Sequence, residues 1–196
     1  GTLSGSIGYR AELVGQRSRV IRLGAAAAVG GLTGGLLLLA LPPAAFGRIV
    51  PILILGSVVL IAIQPRLSAA MGDRRAVGEE HTVPLVITLY LTGIYGGYFG
   101  AGQGVIMMAI LGVFLPDNIQ RLNGLKNVLA LLINGVAAIL FIFFAPVAWP
   151  PAIVLAVGAV IGGQVGATVG RRLSAPVLRT AIIVIGTIVG VKLLIG

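Results

Sequence analysis

The chain is organised around residues 93–105, which read Gly-Ile-Tyr-Gly-Gly-Tyr-Phe-Gly-Ala-Gly-Gln-Gly-Val. Six glycines fall within twelve positions of an otherwise apolar run: Gly93, Gly96, Gly97, Gly100, Gly102 and Gly104. Glycine weakens a helix by about 1 kcal/mol per residue relative to alanine, and it adopts positive φ without strain. The stretch therefore predicts a place where a helix breaks or where another group comes close.

The composition around this stretch is that of a membrane protein. The chain is 58% hydrophobic and 10% charged, with a mean hydropathy of +1.10, whereas soluble domains carry about a quarter charged residues. Long uninterrupted apolar runs predict transmembrane helices of about 20 residues rather than a barrel. We therefore expect an all-α, multi-pass helical bundle in a lipid bilayer.

Prolines and polar residues divide the chain into segments. Residues 1–8 predict the tail of an apolar helix, and Leu41-Pro42-Pro43 and Pro65-Arg66 predict the ends of the first two spans, because proline does not continue a helix interior. Asp117 or Asn118 is expected to cap the helix that follows the glycine-rich segment. The predicted spans are about 20–41, 46–63, 118–145, 150–170 and 176–195, with the glycine-rich segment at 84–115.

An internal repeat relates the two ends of the chain. Gly30-Gly31-Leu-Thr-Gly34 recurs as Gly162-Gly163-Gln-Val-Gly166, and each copy is followed by leucine, proline, arginine and a second apolar span. We expect residues 1–66 to be the remainder of a first repeat, 67–83 a cytoplasmic loop, and 84–196 the second repeat. The counterpart of the glycine-rich segment is expected before Gly1.

The basic residues bear on how the glycine-rich segment crosses the bilayer. A single crossing divides the loop arginines and lysines seven to six between the two sides (Arg10, Arg17, Arg19, Arg22, Arg66, Arg74 and Arg75 against Arg48, Arg121, Lys126, Arg171, Arg172 and Arg179). A re-entrant segment, broken at its glycines, makes the division twelve to one, because only Arg48 stays apart. The positive-inside tendency favours the re-entrant form and inverted repeats. A kinked single crossing is the alternative.

Backbone amides in this segment are candidates for binding an anion. The N-terminus of a half-helix carries partial positive charge and free N–H groups, which Gly100, Gly102 and Gly104 would present, with the side-chain amide of Gln103 beside them. The alternative is tight helix packing through small residues four positions apart, Gly93 with Gly97 and Gly96 with Gly100.

Polar residues on the next helix favour the anion. Asn123, Lys126, Asn127 and Asn134 share one face of a segment made otherwise of aliphatic residues and phenylalanine. A lysine inside a membrane is costly and faces a cavity or a partner. Because the five acids lie in loops or at helix ends, an anionic solute is the simplest match. Snorkelling of Lys126 to the surface is the alternative.

Other chemistry finds no support in the sequence. The chain has no cysteine and one histidine, His81, in a predicted loop, so we expect no enzyme activity, no metal site, no cofactor and no proton relay. The net charge of +9 is explained by membrane topology rather than by nucleic acid. Tyr90, Tyr95, Tyr98 and Trp149 are expected to anchor the chain at the membrane interface or to line a pocket.

These segments together resemble the sulfite exporter TauE/SafE family of bacterial and archaeal permeases. The resemblance rests on residues 93–104, on Asn123-Gly-Leu-Lys126-Asn127 with Asn134, and on Gly162-Gly163-x-x-Gly166 ending in Arg171-Arg172-Leu173. It implies a two-repeat permease of the cytoplasmic membrane for sulfite, thiosulfate or sulfonate-type anions. Gln103 departs from the family pattern, in which many relatives have glycine, and the first glycine-rich segment is absent. A membrane scaffold that does not transport is the alternative function.

Overall fold

The computed structural model describes residues 13–73, 82–115, 117–170 and 175–195. These residues form helices joined by short connections, which confirms the prediction of an all-α membrane protein. Among them, Arg17–Ala40, Ala44–Arg66 and Ile119–Phe144 are long and apolar enough to cross a membrane. The helices are α1 Arg17–Ala40, α2 Pro43–Asp73, α3 Thr82–Tyr98, α4 Gln103–Phe114, α5 Ile119–Phe144, α6 Trp149–Gly170 and α7 Ala175–Ile195.

The boundary predicted at Pro65 is wrong. Helix α2 continues through both Pro51 and Pro65 and ends at Asp73, so residues 67–73 of the predicted loop are helical. Proline removes one helical hydrogen bond, but it does not prevent helix on both of its sides. The residues after it include leucine, two alanines and methionine, which are good helix formers. The predicted helix tail at residues 1–8 and the loop residues 74–81 lie outside the described residues.

Glycines let α1 and α3 approach almost backbone to backbone. A Cβ added to Gly30 would lie 2.9 Å from the Cα of Gly93, and one added to Gly34 would lie 2.8 Å from the N atom of Tyr98. Later residues of α1 therefore meet later residues of α3, so the two helices run parallel. Gly93 and Gly97 thus serve helix packing, as the packing alternative predicted for them.

Helix α5 packs against the other side of α1, also parallel to it. A Cβ added to Gly24 would meet Leu132 at 2.9 Å, and one added to Gly35 would meet Leu140 at 2.7 Å. Leucines on these helices form a buried core together with Met107 and Leu111 of α4.

Helix α4 runs back between its neighbours. It begins beside Asn134, to which Gln103 donates a hydrogen bond, and Leu115 follows its end, three residues before the Asn118 cap of α5. Because α3 and α5 both run parallel to α1, α4 is antiparallel to both of them. The segment 82–115 is therefore a helical hairpin. Its re-entrant position in a bilayer stays a prediction.

The remaining helices include one clear pair. Helix α7 packs antiparallel on α2, since an added Cβ at Gly186 would meet Val58 at 2.6 Å and one at Gly190 would meet Leu55 at 2.8 Å. Residues 153–162 of α6 are exposed. The repeat, its inversion and the domain limits drawn from it stay predictions.

Candidate functional site

The hairpin turns at residues 99–102, inside the glycine-rich stretch. Gly100 and Gly102 have φ of +78° and +75°, a left-handed conformation that glycine alone adopts without cost. The N–H groups of Phe99 and Gly100 donate to the Tyr95 carbonyl and close α3. Gly102 is the N-cap of α4, and its carbonyl accepts from Val105 at 2.9 Å. Two glycines thus reverse the chain in four residues.

The turn at residues 99–102 is called the break below. The N-terminus of α4 presents amide groups at this break. Among the described residues, the backbone N–H groups of Gly102 and Gly104 find no hydrogen-bond acceptor. Such groups carry the partial positive charge of a helix N-terminus. They can bind an anion or a water molecule at this point.

Lys126 lies beside the same helix end. Its side chain is half-buried, and its Cδ would lie 3.9 Å from a Cβ added to Gly104. Its Nζ donates to Asn123 Oδ1 at 2.6 Å. Within the described part of the chain, no carboxylate forms an ion pair with Lys126. Asn127 is half-buried in the same turn of α5.

Gln103 connects the break to Asn134, the last of the four predicted polar residues along α5. Its side chain is 7% exposed, and its Nε2 donates to Asn134 Oδ1 at 3.3 Å. Its Oε1 is buried against Gly96 and has no partner among the described residues. Asn134 itself is exposed. The predicted residues therefore form two adjoining groups, Gly104 with Lys126 and Asn123, and Gln103 with Asn134.

Sequence reasoning missed Ser57, on α2. Ser57 is 6% exposed, and its Oγ lies 3.0 Å from the Ala101 carbonyl oxygen and 2.8 Å from Tyr95 Oη. Tyr95 also donates to the Ala101 carbonyl, so it contacts the break itself. One signal was available for Ser57, because it is a lone hydroxyl in the apolar run Ile-Leu-Ile-Leu-Gly-Ser-Val-Val-Leu.

A separate polar cluster surrounds Asp117. Arg19 of α1 approaches its carboxylate at 2.8 Å, and Arg121 of α5 approaches it at 3.0 Å. Burial raises the pKa of Asp117, but hydrogen bonds from the Asn118 N–H, Arg121 and Arg19 outweigh it and hold this pKa below its ordinary value. Asn118 caps α5 by accepting from the Arg121 N–H at 2.9 Å, as the sequence predicted for one of these two residues.

Comparison with known proteins gives a family match over nearly the whole chain. A family model described as "Sulfite exporter TauE/SafE" matches residues 1–193. A probable membrane transporter protein, ORF9, from Sinorhizobium sp is 25% identical over 172 residues, which cover 85% of this chain and 63% of that protein. A probable membrane transporter protein from Haemophilus influenzae is 27% identical over 154 residues, 76% of this chain and 59% of that protein. The chain thus spans less than two thirds of either relative, and no solved structure matches it significantly.

Proposed function

Because this chain belongs to the sulfite exporter TauE/SafE family, we propose that it is part of a membrane permease for a small anion. The anion class is a sulfur oxyanion or an organosulfonate, and the membrane is the cytoplasmic membrane of a bacterium or archaeon, which the chain crosses several times. The observation that carries the proposal is the position of Lys126 beside the N-terminus of α4.

The anion sits where two sources of positive charge meet. The free N–H groups of Gly102 and Gly104 supply hydrogen bonds and the helix dipole, and Lys126 supplies a full charge. A lysine at the centre of a membrane helix costs about 3 kcal/mol. No described carboxylate neutralises Lys126, so a bound anion offsets that cost. The N–H donors of the site replace the water molecules that the anion gives up on binding.

The remaining residues orient these groups. Gly100 and Gly102 allow the turn that exposes the amides. Asn123 accepts from Lys126 Nζ and fixes the direction of the ammonium group. Asn127, Asn134 and Gln103 supply side-chain amide donors, and Gln103 is already hydrogen-bonded to Asn134 between α4 and α5.

A second hairpin completes the site in our proposal. The internal repeat predicts one, and the curated relatives are longer than this chain. Transporters built from inverted repeats hold their substrate where the repeats meet. Transport is therefore to be measured on the full-length protein.

The test is uptake of radiolabelled sulfite by proteoliposomes that contain the full-length protein. We expect uptake above that of protein-free vesicles, and a loss of about tenfold or more for Lys126→Ala, since removing one charged contact of about 1.4 kcal/mol changes affinity tenfold. Lys192→Ala is the matched control, because Lys192 is exposed in the last turn of α7. Equal uptake by Lys126→Ala and the wild type would rule out the role assigned to Lys126.

A second candidate is a membrane scaffold that does not transport. The close packing of Gly30 and Gly34 against α3 favours it, because there the glycines serve helix association. A scaffold predicts that Gly102→Leu disrupts assembly while every Lys126 substitution is silent. Size-exclusion profiles of the two variants, with the uptake assay, separate the candidates.

A further inference from the structure

We propose that Ser57 and Tyr95 are positioning residues that hold the break in the orientation presenting its amide groups to the anion. This inference rests on the proposed function and deepens it, since it concerns the same site. It assigns a role to α2, from which the sequence predicted no site residue.

Three oxygen atoms from three parts of the fold meet at the break. The Ala101 carbonyl oxygen lies in the turn itself, Tyr95 Oη comes from the last turn of α3, and Ser57 Oγ comes from the middle of α2. Tyr95 donates to the Ala101 carbonyl, and Ser57 Oγ lies 3.0 Å from the same oxygen. Ala101 lies in the turn and not in a helix, so no helical N–H is available to its carbonyl, and a hydroxyl serves as the donor.

The direction of the Ala101 carbonyl also sets the direction of the neighbouring amide N–H group. The Ala101 carbonyl and the Gly102 N–H belong to one planar trans peptide, in which the C=O and N–H bonds point in opposite directions. With the carbonyl directed at Ser57 and Tyr95, the Gly102 N–H is directed away from them. That N–H, like those of Ala101 and Gly104, has no acceptor among the described residues. The hydroxyl pair therefore determines where the amide points.

Tyr95 and Ser57 differ in how far each can act as a donor to the Ala101 carbonyl. Ser57 and Tyr95 have one hydroxyl hydrogen each. Ser57 Oγ also lies 2.8 Å from the Leu53 carbonyl, one turn earlier in α2, and this bond satisfies a serine within a helix without help from the break. Tyr95 is therefore the principal donor to Ala101. Ser57 donates to Tyr95 Oη at 2.8 Å, which supports that hydroxyl, or to the Ala101 carbonyl in its place at 3.0 Å, only when it gives up Leu53.

The contact also joins the two predicted repeats. Ser57 belongs to α2, in the first predicted repeat, and the break belongs to the second. Helix α2 packs in turn on α7 through Leu55 and Val58, so the residues that flank Ser57 fix its place. A Cβ added to Gly102 would lie 3.7 Å from the Cβ of Ser57, which shows how closely α2 approaches the turn.

The test measures amide hydrogen exchange across residues 99–106 of the full-length protein in nanodiscs. For Tyr95→Phe we expect exchange about fivefold faster, as the loss of one net hydrogen bond implies. The matched control is Tyr90→Phe, the same change on the same helix, where the hydroxyl meets Thr33 at 3.4 Å and not the break. Ser57→Ala is expected to have a smaller effect, and Ser57→Thr to exchange like the wild type.

The same variants are then assayed for sulfite uptake in proteoliposomes. We expect Tyr95→Phe to raise KM about fivefold and to leave the maximal rate within twofold, because the amides are misdirected but not removed. Exchange at the break that is unchanged in Tyr95→Phe and in the Ser57→Ala, Tyr95→Phe double variant overturns the inference. A wild type that takes up no sulfite counts against the proposed function alone, since the exchange rates still decide whether the two hydroxyls fix the break.

Discussion

At the scale of single residues, the glycines of the 93–104 stretch divide by task. Gly93 and Gly97 let α3 reach the backbone of α1, while Gly100 and Gly102 form a turn that other residues cannot form without strain. Gly104 leaves room beside the aliphatic part of Lys126. Gly96 is different, because the end of the Gln103 side chain occupies the place where its Cβ would be.

The pairing of Gly96 with Gln103 leads to a prediction about both residues. Gly96→Ala would push the Gln103 amide out of its place and break its hydrogen bond to Asn134. We expect a destabilisation of about 1–3 kcal/mol, as for other overpacked cores. The Gln103→Gly change, which empties the same space, is expected to relieve most of that cost.

A double-mutant cycle on thermal unfolding in detergent checks this pairing. Coupling of about 1 kcal/mol or more between the two substitutions is expected for residues in contact. Strictly additive effects would mean that the Gln103 side chain does not lie against Gly96.

At the level of the helices, glycines determine how closely α1 packs against α3 and α5. We predict that Gly34→Ala lowers stability by about 1–3 kcal/mol, because the new Cβ would meet backbone atoms of Ile94 and Tyr98, which cannot move aside as a side chain can. Gly56→Ala on α2 is the matched control, since nothing lies within 4 Å of its added Cβ. Because alanine has the better helix propensity, Gly56→Ala should leave the stability unchanged or raise it by up to about 1 kcal/mol. Thermal unfolding that ranks the two variants equally would contradict the close α1–α3 contact.

Asp117 joins the start of α1 to the start of α5, and its behaviour should depend on pH. Because its pKa is lowered in the folded chain, its contribution to stability is complete above the ordinary carboxyl pKa. That contribution is lost as the pH falls through the lowered value. Asp117→Asn should cost about 1 kcal/mol at neutral pH and should remove this part of the acid dependence. Melting temperatures of the variant and the wild type, measured from neutral pH down to about pH 3, test this, and parallel curves would show that Asp117 has no such role.

The sequence was informative about the elements and less so about their ends and partners. Helix content, the break in the glycine run and the Asn118 cap could be predicted, because each depends on local residues. The passage of α2 through Pro65 could not, since a proline signal does not tell a helix end from a helix interior. The Ser57 contact could not either, because it depends on packing between residues 44 positions apart. The site roles of Lys126 and its neighbours stay predictions.

At the scale of the whole molecule, the parallel directions of α1, α3 and α5 make a prediction about topology. The start of α3 and the start of α5 lie at the same end of the hairpin, so both should face the same side of the membrane. The chain has no cysteine, so single cysteines introduced by Val83→Cys and Ile119→Cys, at two exposed positions, report their side without background.

An impermeant thiol reagent should label both positions from the cytoplasmic side. Val147→Cys, in the connection after α5, should be labelled from the opposite side. Labelling of positions 83 and 119 from opposite sides would mean that the segment crosses the membrane once. The charge division of seven to six would then apply in place of twelve to one.

Sulfite protection of a single thiol tests whether an anion binds at the break. Gln103→Cys is introduced into the full-length protein, with any cysteine outside the present 196 residues replaced by serine, since these 196 residues have none. A small water-soluble thiol reagent is applied in nanodiscs with and without sulfite. We expect the thiol to react, because a substrate path reaches it, and we expect sulfite to slow this reaction more than the reaction of Val83→Cys, an exposed control position that reports any direct consumption of the reagent by sulfite. The same concentration of chloride should slow neither. A thiol that stays unlabelled, or one that sulfite protects no more than the thiol of Val83→Cys, would rule out anion binding at the break and favour a packed scaffold.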